Sequence, residues 1–362
     1  MPSRQRQRRS TQRATMSDVA RLAEVSASTV SLYLRKPDEV SASLGERIQH
    51  AIDTLGYVPN LMAGALAAAK TRVIGVVVPS MVNSIFATTV SAMQATLRAQ
   101  GYQLLLGHSD YSEDEEEALV RTFLSWSPSA MVVTGLKHNR KTRQMLSQSD
   151  VPVVEMWELG SNPLDMLVGF SHYDVGKAQA RHLMDRGCRR IAFIGARLQV
   201  DSRASQRAEG YQTVLADFLA GTQPIIIDVG PKASAEVSSQ AFGQLLDEHP
   251  DIDGVIFSND LLALGATFEA QRRGIAIPQD VAVIGFGDMD FSSSSLPRIS
   301  TVRPPREQIG RAVAEVLLAR INGQDAEQAR QSDFGFDLVQ RESSAVVPEG
   351  QTREEHHTSA LP

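Results

Sequence analysis

Short apolar runs alternate with longer helix-forming stretches from residue 73 almost to the end of the chain, and this alternation constrains the fold more than any other feature. Such runs, rich in Val, Ile and Leu, are typical of strands buried on both faces of a parallel sheet. They occupy 73–78, 103–106, 130–133, 152–154, 191–194, 225–227, 254–257 and 281–284, with predicted helices between them, for example over 84–100, 173–186 and 261–273. Repeated βα units predict doubly wound parallel sheets, here two of them, which bind ligands at the carboxyl ends of their strands.

The charge is distributed unevenly along the chain. Residues 1–72 hold eleven Arg or Lys and six Asp or Glu, a net charge of +5, whereas the remainder carries −11. The overall charge of −6 therefore conceals a basic segment of the kind that faces a polyanion such as DNA. Basic N-termini are also common as merely solvated tails, so charge alone leaves both interpretations open.

Several classes of protein are excluded by the sequence. No apolar run reaches the eighteen or so residues of a membrane span, and the basic N-terminus is not followed by the apolar stretch of a secretory signal. The single cysteine, Cys188, makes neither an intramolecular disulfide nor a Cys-based zinc cluster. No P-loop, GxSxG or HExxH motif is present, so we predict no enzyme, no cofactor, no metal site and no membrane partner. A cytoplasmic protein is expected.

Residues 15–59 have the pattern of a small helical domain. Thr15 and Asp18 have the spacing of a capping box and predict the start of a first helix. Ser26 is suited to cap a second helix over 27–34. Two short helices joined by a tight turn are the core of a helix-turn-helix.

A third helix is predicted behind this pair. Apolar residues recur at helical spacing between Leu44 and Leu55, and a Ser43…Glu46 box precedes most of them. With this support, the second helix of the pair has the dimensions needed to enter the major groove of DNA. Any small three-helix bundle remains an alternative on these signals alone.

This segment contains, in order, Asp18-Val19-Ala20-Arg21-Leu22-Ala23, then Val25-Ser26 with Ser28-Thr29-Val30-Ser31, then Leu55-Gly56-Tyr57-Val58-Pro59-Asn60. These three stretches resemble the DNA-binding headpiece of the lactose-repressor (LacI/GalR) family of transcriptional regulators. The resemblance continues to about residue 347. By position, it implies that DNA is contacted by Thr15, Ser26, Ala27, Ser28, Thr29, Ser31, Arg35, Tyr57, Asn60, Ala63 and Leu66.

Two residues depart from the family pattern. Leu32 stands where the recognition helix usually has an Arg, so a bidentate guanine contact worth roughly 1–3 kcal/mol would be missing. We therefore expect an operator that differs from the family consensus at that base pair, with Arg35 as a neighbouring contact. Glu24 stands at a turn position that is usually Gly, which predicts a strain of about 1 kcal/mol if φ is positive there.

Residues 60–72 are rich in small residues, and the resemblance identifies them as a hinge helix. A helix of about ten residues is marginal in isolation. In the family, two copies of the hinge pair in the minor groove of DNA, and Leu66 matches the apolar wedge that opens the central base step. Such a segment couples effector binding to DNA release, because separating the two hinges melts a marginal helix. A plain Ala-rich linker is the alternative.

The resemblance also implies the architecture of the body. It predicts a periplasmic-binding-protein-like (type I) core with two lobes, a cleft between them, and three crossings of the chain near residues 170, 301 and 329. The predicted boundaries are an N-lobe at 73–170 and 301–328, a C-lobe at 171–300 and 329–347, and disordered tails at 1–14 and 348–362. The whole chain is therefore predicted to be an α/β protein with an all-α headpiece.

Polar and aromatic side chains follow the predicted strand ends and form the expected effector site. Aromatic faces suit the carbon chain of a polyol, Asn and Asp suit its hydroxyls, and Arg suits a carboxylate. By resemblance, Arg207 matches the effector-binding Arg of the family and Asn259 its hydroxyl-binding Asn. The predicted site comprises Ser80, Asn83, Phe86, Trp157, Phe170, Arg207, Asn259, Asp260 and Asp288.

These observations predict a ligand-controlled transcriptional repressor that binds a palindromic operator as a homodimer and is released by its effector. Several stretches, among them Leu34-Arg-Lys-Pro-Asp-Glu-Val and Pro305-Arg-Glu-Gln-Ile-Gly310, resemble the gluconate-utilisation subgroup and favour a sugar acid or sugar. A co-repressor whose ligand tightens DNA binding is an alternative. A sugar-binding receptor and a NAD-dependent enzyme are rivals, but the receptor would lack the helix-turn-helix and the enzyme would need a GxGxxG after its first strand.

Overall fold

The computed structural model describes residues 14–59, 71–81, 84–219, 221–324 and 331–345. The chain divides into two compact units, Met1–Thr71 and Arg72–Pro362. None of the helices in the described ranges combines the length and the apolar character that crossing a bilayer requires.

The described part of the first unit has three α-helices around a small apolar core. They are α1 (Met16–Leu22), α2 (Ala27–Arg35) and α3 (Ala42–Leu55). The predicted capping box is confirmed, because Thr15 Oγ1 accepts from the Asp18 amide at 3.3 Å and Asp18 Oδ2 accepts from the Thr15 amide at 3.0 Å. Ser26 Oγ accepts from the Thr29 amide at 3.1 Å and caps α2 as predicted.

The start predicted for α3 is wrong. The helix begins at Ala42, before the predicted Ser43 cap. Ser41 is the actual N-cap, because it has an extended backbone and its carbonyl accepts from the Leu44 and Gly45 amides at 3.0 and 2.9 Å. Ser43 and Glu46 therefore lie inside the helix and form no capping box. The helix ends at Gly56, whose φ of +58° suits a glycine.

The N-lobe of the second unit is built on a six-stranded sheet. Its strands are β1 (Val73–Val78), β2 (Gln103–His108), β3 (Ala130–Thr134), β4 (Val153–Met156), β5 (Met166–Gly169) and β11 (Gln331–Asp333). Their order is β11-β5-β4-β3-β1-β2, and every neighbouring pair is parallel. The helices of this lobe are α4 (Ser84–Ala99), α5 (Glu113–Ser125), α6 (Arg140–Gln148) and α11 (Arg306–Ile321).

The C-lobe repeats this arrangement. Its strands are β6 (Ile191–Gly195), β7 (Ile225–Asp228), β8 (Gly254–Phe257), β9 (Ala282–Phe286), β10 (Ser300–Arg303) and β12 (Asp337–Val339). Their order is β12-β10-β9-β8-β6-β7, and all pairs are parallel except β10 with β12. Its helices are α7 (His172–Asp185), α8 (Ser202–Phe218), α9 (Ala235–Glu248) and α10 (Asp260–Arg273). The eight predicted strands are confirmed, and so are the two sheets, which are parallel except for the β10–β12 pair.

Two of the three predicted crossings between the lobes lie a few residues later than expected. The second was expected near 301, but β10 pairs with β9 of the C-lobe, so the chain crosses only after Arg303. The third was expected near 329, but β11 pairs with β5 of the N-lobe, so the crossing lies between Asp333 and Asp337. In both cases a short strand, β10 or β11, keeps the chain in its lobe for a few more residues.

Two glycines bring α7 and α8 into direct backbone contact. A Cβ at Gly176 would lie 1.9 Å from the Arg207 carbonyl oxygen, and a Cβ at Gly210 would lie 2.1 Å from the Tyr173 carbonyl oxygen. No other residue fits at either position without displacing a helix. This close packing fixes the height of α8, and therefore of Arg207, relative to the strand ends.

A buried charged cluster ties α5 to the loop before α6 in the N-lobe. His138 Nδ1 lies 2.6 Å from Glu116 Oε1, and His138 Nε2 lies 3.4 Å from Glu155 Oε1. Burial alone would lower the pKa of His138, but its interactions with the two carboxylates outweigh burial and raise the pKa to about 9. His138 is therefore a cation in this lobe at neutral pH.

Candidate functional site

A cavity of about 320 Å³ lies between the two lobes, where the strands of both sheets end. Its lining residues follow β1, β2, β4, β6, β7, β8 and β9, each at the carboxyl end of the strand, as expected for a doubly wound fold. Its volume is at the small end of the range for ligand pockets, about 300–1,000 Å³. The lining comprises Ser80, Ile85, Phe86, Asp110, Tyr111, Trp157, Ala196, Arg197, Asp201, Arg203, Arg207, Lys232, Ala233, Ser234, Ser258, Asn259 and Phe286.

One wall of the cavity is aromatic. Trp157 makes edge-on contacts with Phe86 and Phe170, with ring centroids 5.1 and 5.8 Å apart. Trp157 has a positive φ of +71°, and its buried indole Nε1 has no hydrogen-bond partner among the described residues. Such a wall suits the carbon face of a small polyol, and the indole offers a donor that the protein itself does not use.

Arg207 is the most deeply buried cation of the cavity. It is 4 % exposed and lies on α8 with its guanidinium 4.1 Å from the centroid of the Phe286 ring. Nη2 donates to the Ser258 carbonyl at 2.9 Å and Nη1 lies 2.7 Å from His172 Nδ1, but Nε has no partner among the described residues. Burial lowers the pKa of this guanidinium to about 10 against the opposing effect of Asp201. Arg207 therefore stays charged at neutral pH.

His172 orients Arg207 as a neutral imidazole. Its Nε2 lies 2.8 Å from the Trp157 carbonyl oxygen, which can only accept, so Nε2 carries the proton. Nδ1 faces Arg207, which can only donate, so Nδ1 accepts. Burial, with the nearby charge of Arg207, holds the pKa of His172 well below its usual range, which agrees with this tautomer.

The other cations of the cavity differ from Arg207 in having a carboxylate partner or in being exposed. Arg203 Nη2 lies 3.1 Å from Asp201 Oδ1, and Arg197 Nη1 lies 2.9 Å from Asp110 Oδ1. Lys232 is exposed at the edge. Four cations against two carboxylates give the lining an excess of positive charge. Among the cations that the structure places in this lining, Arg207 alone is buried and has no carboxylate within ion-pair distance.

The sequence-based prediction of the site is partly matched by this geometry. Ser80, Phe86, Trp157, Arg207 and Asn259 all line the cavity. Asn259 Oδ1 also caps α10 by accepting from the Leu262 amide at 3.1 Å. The predicted residue Asn83 lies outside the described residues. The remaining three predicted residues do not line the cavity.

Phe170 is completely buried behind Trp157. Its ring contacts Phe286 at 6.3 Å and His172 at 4.5 Å between centroids. It therefore supports the aromatic wall from the side away from the cavity. The prediction that Phe170 contacts the effector is corrected accordingly.

Asp260 is a buried carboxylate that serves the protein. It accepts from Thr301 Oγ1 at 2.6 Å, from Ser292 Oγ at 2.7 Å and from the Met289 amide at 2.8 Å. Burial raises its pKa despite these three bonds. Asp260 thus ties three segments of the C-lobe together, and because it is completely buried outside the lining it is not available to an effector.

Asp288 also faces away from the cavity. Its carboxylate binds Arg303 Nε and Arg341 Nη2, both at 2.6 Å. Although burial opposes it, these two guanidinium groups keep the pKa of Asp288 below its ordinary value. Asp288 therefore connects Arg303, the last residue of β10, with Arg341, which follows β12, instead of binding a ligand.

Sequence reasoning missed most of the charged side chains of the cavity. Arg203 lies one helical turn before Arg207, and this i, i+4 spacing is a signal that would have placed it on the same face. Asp110, Tyr111, Arg197 and Lys232 lie in loops, where spacing carries no such signal. No group of three or more His, Cys, Asp or Glu side chains in the described ranges is arranged to hold a metal ion.

The predicted DNA-contacting residues of the first unit fall into two sets. Ser26, Ala27 and Ser28 are exposed at the start of α2, while Thr29 and Ser31 are partly exposed. Arg35 is exposed at the end of the same helix, and Thr15 is exposed before α1. Tyr57, in contrast, is only 9 % exposed and packs in the core of the unit, so it offers little surface to DNA. Asn60, Ala63 and Leu66 lie outside the described residues, as does most of the predicted hinge over 60–72.

The turn between α1 and α2 has the strained backbone that the sequence predicted. Glu24 has a φ of +52°, a conformation that favours glycine. Arg47 of α3 supports the turn by donating to the Ala23 carbonyl at 2.5 Å and by pairing with Glu24 at 3.7 Å. The departure from the family pattern at residue 24 therefore leaves the turn in place.

Comparison with known families matches both units. Residues 15–60 match the bacterial regulatory proteins of the lacI family, and residues 180–344 match the periplasmic binding protein-like domain. A curated relative, the HTH-type transcriptional regulator GntR of Pseudomonas aeruginosa, is 41 % identical over 336 residues, which cover 93 % of this chain and 97 % of the relative.

Solved structures give the same result. A LacI-family transcriptional regulator from Silicibacter pomeroyi has a TM-score of 0.86 at 30 % identity, with 91 % of this chain and 99 % of that chain covered. The transcription regulator GntR from Chromobacterium violaceum has a TM-score of 0.71 at 37 % identity, with 75 % of this chain and 99 % of that chain covered.

Proposed function

The chain belongs to the LacI family of bacterial regulatory proteins, and from this premise we propose that it is a transcriptional repressor that a sugar acid of the gluconate type releases from DNA. Membership of this family makes the chain a DNA-binding regulator with an effector domain. The chemical class of the effector, the residues that bind it and the direction of its effect are the content of the proposal.

The observation that carries the effector class is the state of Arg207. A guanidinium that is 4 % exposed is costly to bury without a carboxylate, and no described residue supplies one within ion-pair distance. Among the described residues, none accepts from its Nε–H or from the Nε1–H of Trp157, which lines the same cavity. A ligand carboxylate would provide the missing negative charge and accept these hydrogen bonds. A neutral sugar would accept the hydrogen bonds but leave the charge uncompensated.

The rest of the cavity suits the hydroxylated carbon chain of such an acid. The faces of Phe86 and Trp157 offer apolar contact area for the carbon chain. Ser80 and Asn259, which also line the cavity, offer polar groups for hydroxyls. A volume of about 320 Å³ favours a ligand of monosaccharide size. The relative named GntR at 41 % identity supports the same subgroup.

Contacts between the lobes offer a route by which the effector would act. Gln206, next to Arg207 on α8, donates to Glu158 of the N-lobe at 2.5 Å, and Arg197 of the C-lobe pairs with Asp110 of the N-lobe. An effector held by Arg207 therefore acts on the helix that also binds the opposite lobe. We propose that the resulting change in lobe angle shifts residues 60–72 between an ordered and a melted hinge, and that effector and operator weaken each other's binding equally.

The DNA-bound form that we propose is a homodimer on a palindromic operator, since two-fold protein symmetry calls for paired half-sites. The exposed start of α2, with Ser26, Ala27 and Ser28, would meet base edges and phosphates. Thr29, Ser31 and Arg35 would contact the flanking backbone or a neighbouring base. Leu66 is proposed as the minor-groove wedge of the hinge.

Calorimetric titration of the full chain with D-gluconate and with D-glucitol tests the effector class. The two molecules have the same carbon chain, and only the first has a carboxylate. One charge-assisted hydrogen bond contributes about 1.5–3 kcal/mol, so we expect gluconate to bind at least about 10-fold more tightly. Equal affinity, or binding of a nucleobase alone, would contradict the sugar-acid proposal.

A gel-shift titration tests the direction of the effect. With DNA obtained by selection from a random pool, we expect gluconate to weaken the complex. Tighter DNA binding in the presence of gluconate would instead establish the co-repressor mode. Absence of DNA binding at low salt, together with sugar-acid binding, would leave the receptor function as the better description.

A further inference from the structure

Tyr111 of the N-lobe lies between two cations of the C-lobe. The guanidinium carbon of Arg197 is 4.7 Å from the centroid of the Tyr111 ring, and that of Arg203 is 5.9 Å from it. Arg197 is held in place by its ion pair with Asp110, the residue before Tyr111, and Arg203 by its ion pair with Asp201. The ring is therefore fixed by contacts that cross the cleft.

The same residue borders two cavities. Tyr111 and Arg203 line both the main cavity of about 320 Å³ and a smaller one of about 40 Å³. The smaller cavity is polar, with Glu113, Glu116 and Lys137 among its lining residues. The Tyr111 hydroxyl makes no hydrogen bond with any described residue, so what the ring contributes here is its bulk and its face.

The backbone that presents this ring is strained. Asp110 and Tyr111 are consecutive non-glycine residues with φ of +46° and +64°, and Arg197 across the cleft has a φ of +59°. Such conformations persist where the surrounding structure holds them, and they concentrate at binding sites. The strain is located on both sides of the contact between Tyr111 and Arg197.

We propose that Tyr111 is a specificity residue that closes the outer end of the effector cavity and limits the length of the ligand. This inference rests on the proposed function, in that the main cavity is the effector site. The carboxylate end of the ligand is assigned to Arg207, and the opposite end is stopped by the ring. Removal of the ring joins the smaller cavity to the main one and makes room for a longer polyol chain with polar partners.

A series of aldonates of increasing length tests the proposal on the full chain. Calorimetry would measure the affinities of five-, six- and seven-carbon aldonates and of maltobionate, in which a second sugar extends gluconate. The variants are Tyr111→Ala, which removes the ring, and Tyr111→Phe, which keeps it without the hydroxyl. Tyr111→Gly is a second ring-less variant whose backbone accepts the positive φ without strain.

For the wild type and Tyr111→Phe we expect the same preferred chain length and at least a 10-fold loss of affinity for the next longer aldonate. For Tyr111→Ala and Tyr111→Gly we expect that loss to fall below 3-fold, or the preferred length to increase by at least one carbon. An unchanged length profile in the ring-less variants would overturn the proposal, as would a profile altered equally by Tyr111→Phe.

Neutral polyols of the same lengths separate this inference from the proposed function. If the wild type prefers neutral polyols, the sugar-acid class is wrong, while the length profile of the neutral series still decides the role of Tyr111. If the wild type and the ring-less variants bind neither series, both the effector class and the length limit are contradicted. Thermal unfolding of each variant confirms that the compared proteins are folded.

Discussion

Replacing Arg207 with Gln separates the cost of the buried charge from its use in binding. A pKa lowered to about 10 by burial means that the folded protein disfavours the charged form by about 3 kcal/mol. Gln removes this charge, but because its side chain is shorter we expect it to reach only one of the two acceptors that Arg207 now serves, His172 Nδ1 and the Ser258 carbonyl. The acceptor left without a donor costs about 1–3 kcal/mol. The two effects nearly cancel, so we expect the free energy of unfolding without ligand to change by less than about 2 kcal/mol.

The same substitution removes the partner proposed for the ligand carboxylate. One hydrogen bond to a charged group is worth about 1.5–3 kcal/mol, which corresponds to a loss of about 10- to 150-fold in affinity for D-gluconate. The affinity for D-glucitol, which has no carboxylate, should change far less. Arg207→Gln is therefore expected to weaken gluconate binding strongly while it leaves the fold nearly as stable as before.

Calorimetric titration and urea unfolding of the full chain would measure both quantities. Arg190→Gln is the matched control, because Arg190 precedes β6 at the end of the strand away from the cavity and pairs with exposed Asp251. It should change neither quantity appreciably. Gluconate affinity within 2-fold of the wild type in Arg207→Gln would refute the assignment of the carboxylate. A stability loss well above 3 kcal/mol would show that Arg207 is needed chiefly for folding.

Three further substitutions test other parts of the structure. Gly135→Ala places a Cβ 2.7 Å from Arg203 Nη1 and 2.9 Å from Glu158 Oε2 at a φ of +84°. We therefore expect the free energy of unfolding, measured in urea, to fall by about 1–3 kcal/mol and gluconate to bind more weakly by calorimetry. Unchanged values would contradict this packing. Because the pKa of His138 is raised to about 9, protonation of His138 stabilises the fold fully below pH 6.5, and this stabilisation is lost as the pH rises through 9. Over that interval the free energy of unfolding of the wild type, measured in urea, should fall by up to about 3 kcal/mol. The His138→Gln variant should show no such fall. Glu24→Gly should stabilise the first unit by up to about 1 kcal/mol, seen as slower hydrogen exchange in α1 and α2, whereas faster exchange would show that the side chain matters more than the strain.

The central strands could be predicted because their sequences carry their own signal. Runs such as 73–78 and 191–194 are buried on both faces, and only a continuous apolar sequence suits that position. The caps of α1 and α2 were predictable for a similar local reason, since Thr15 and Ser26 each bond within three residues. Where the contacts that fix an element are local, the sequence contains most of the information.

The edge strands could not be predicted in this way. Gln331–Asp333 is a strand only because it pairs with Leu167–Gly169 of the N-lobe, and its own residues are polar. Asp337–Val339 similarly depends on its antiparallel pairing with β10. Their positions are fixed by partners far away in the sequence, and this is why the crossing expected near 329 lies later in the chain.

The same distinction explains the outcome at the candidate site. Arg207 and Asn259 line the cavity as predicted, because a position after a strand or on the first turns of the next helix faces the strand ends. Asp260 and Asp288 follow strands in the same way, yet their carboxylates are used by Thr301, Arg303 and other internal donors. Position after a strand thus predicts that a side chain lies near the cavity, but a carboxylate binds a ligand only if the protein leaves it unsatisfied.

Backbone strain gives an independent reason to regard this cavity as the functional one. Asp110, Tyr111, Trp157 and Arg197 all line it, and all have positive φ without being glycine. Each such residue costs on the order of 1 kcal/mol relative to a relaxed backbone. Glycine would remove that cost, but it would also remove the carboxylate, the phenol ring, the indole or the guanidinium that the cavity presents. The strain is therefore the energetic cost of holding these four side chains at the strand ends. The periodicity of the sequence does not reveal it.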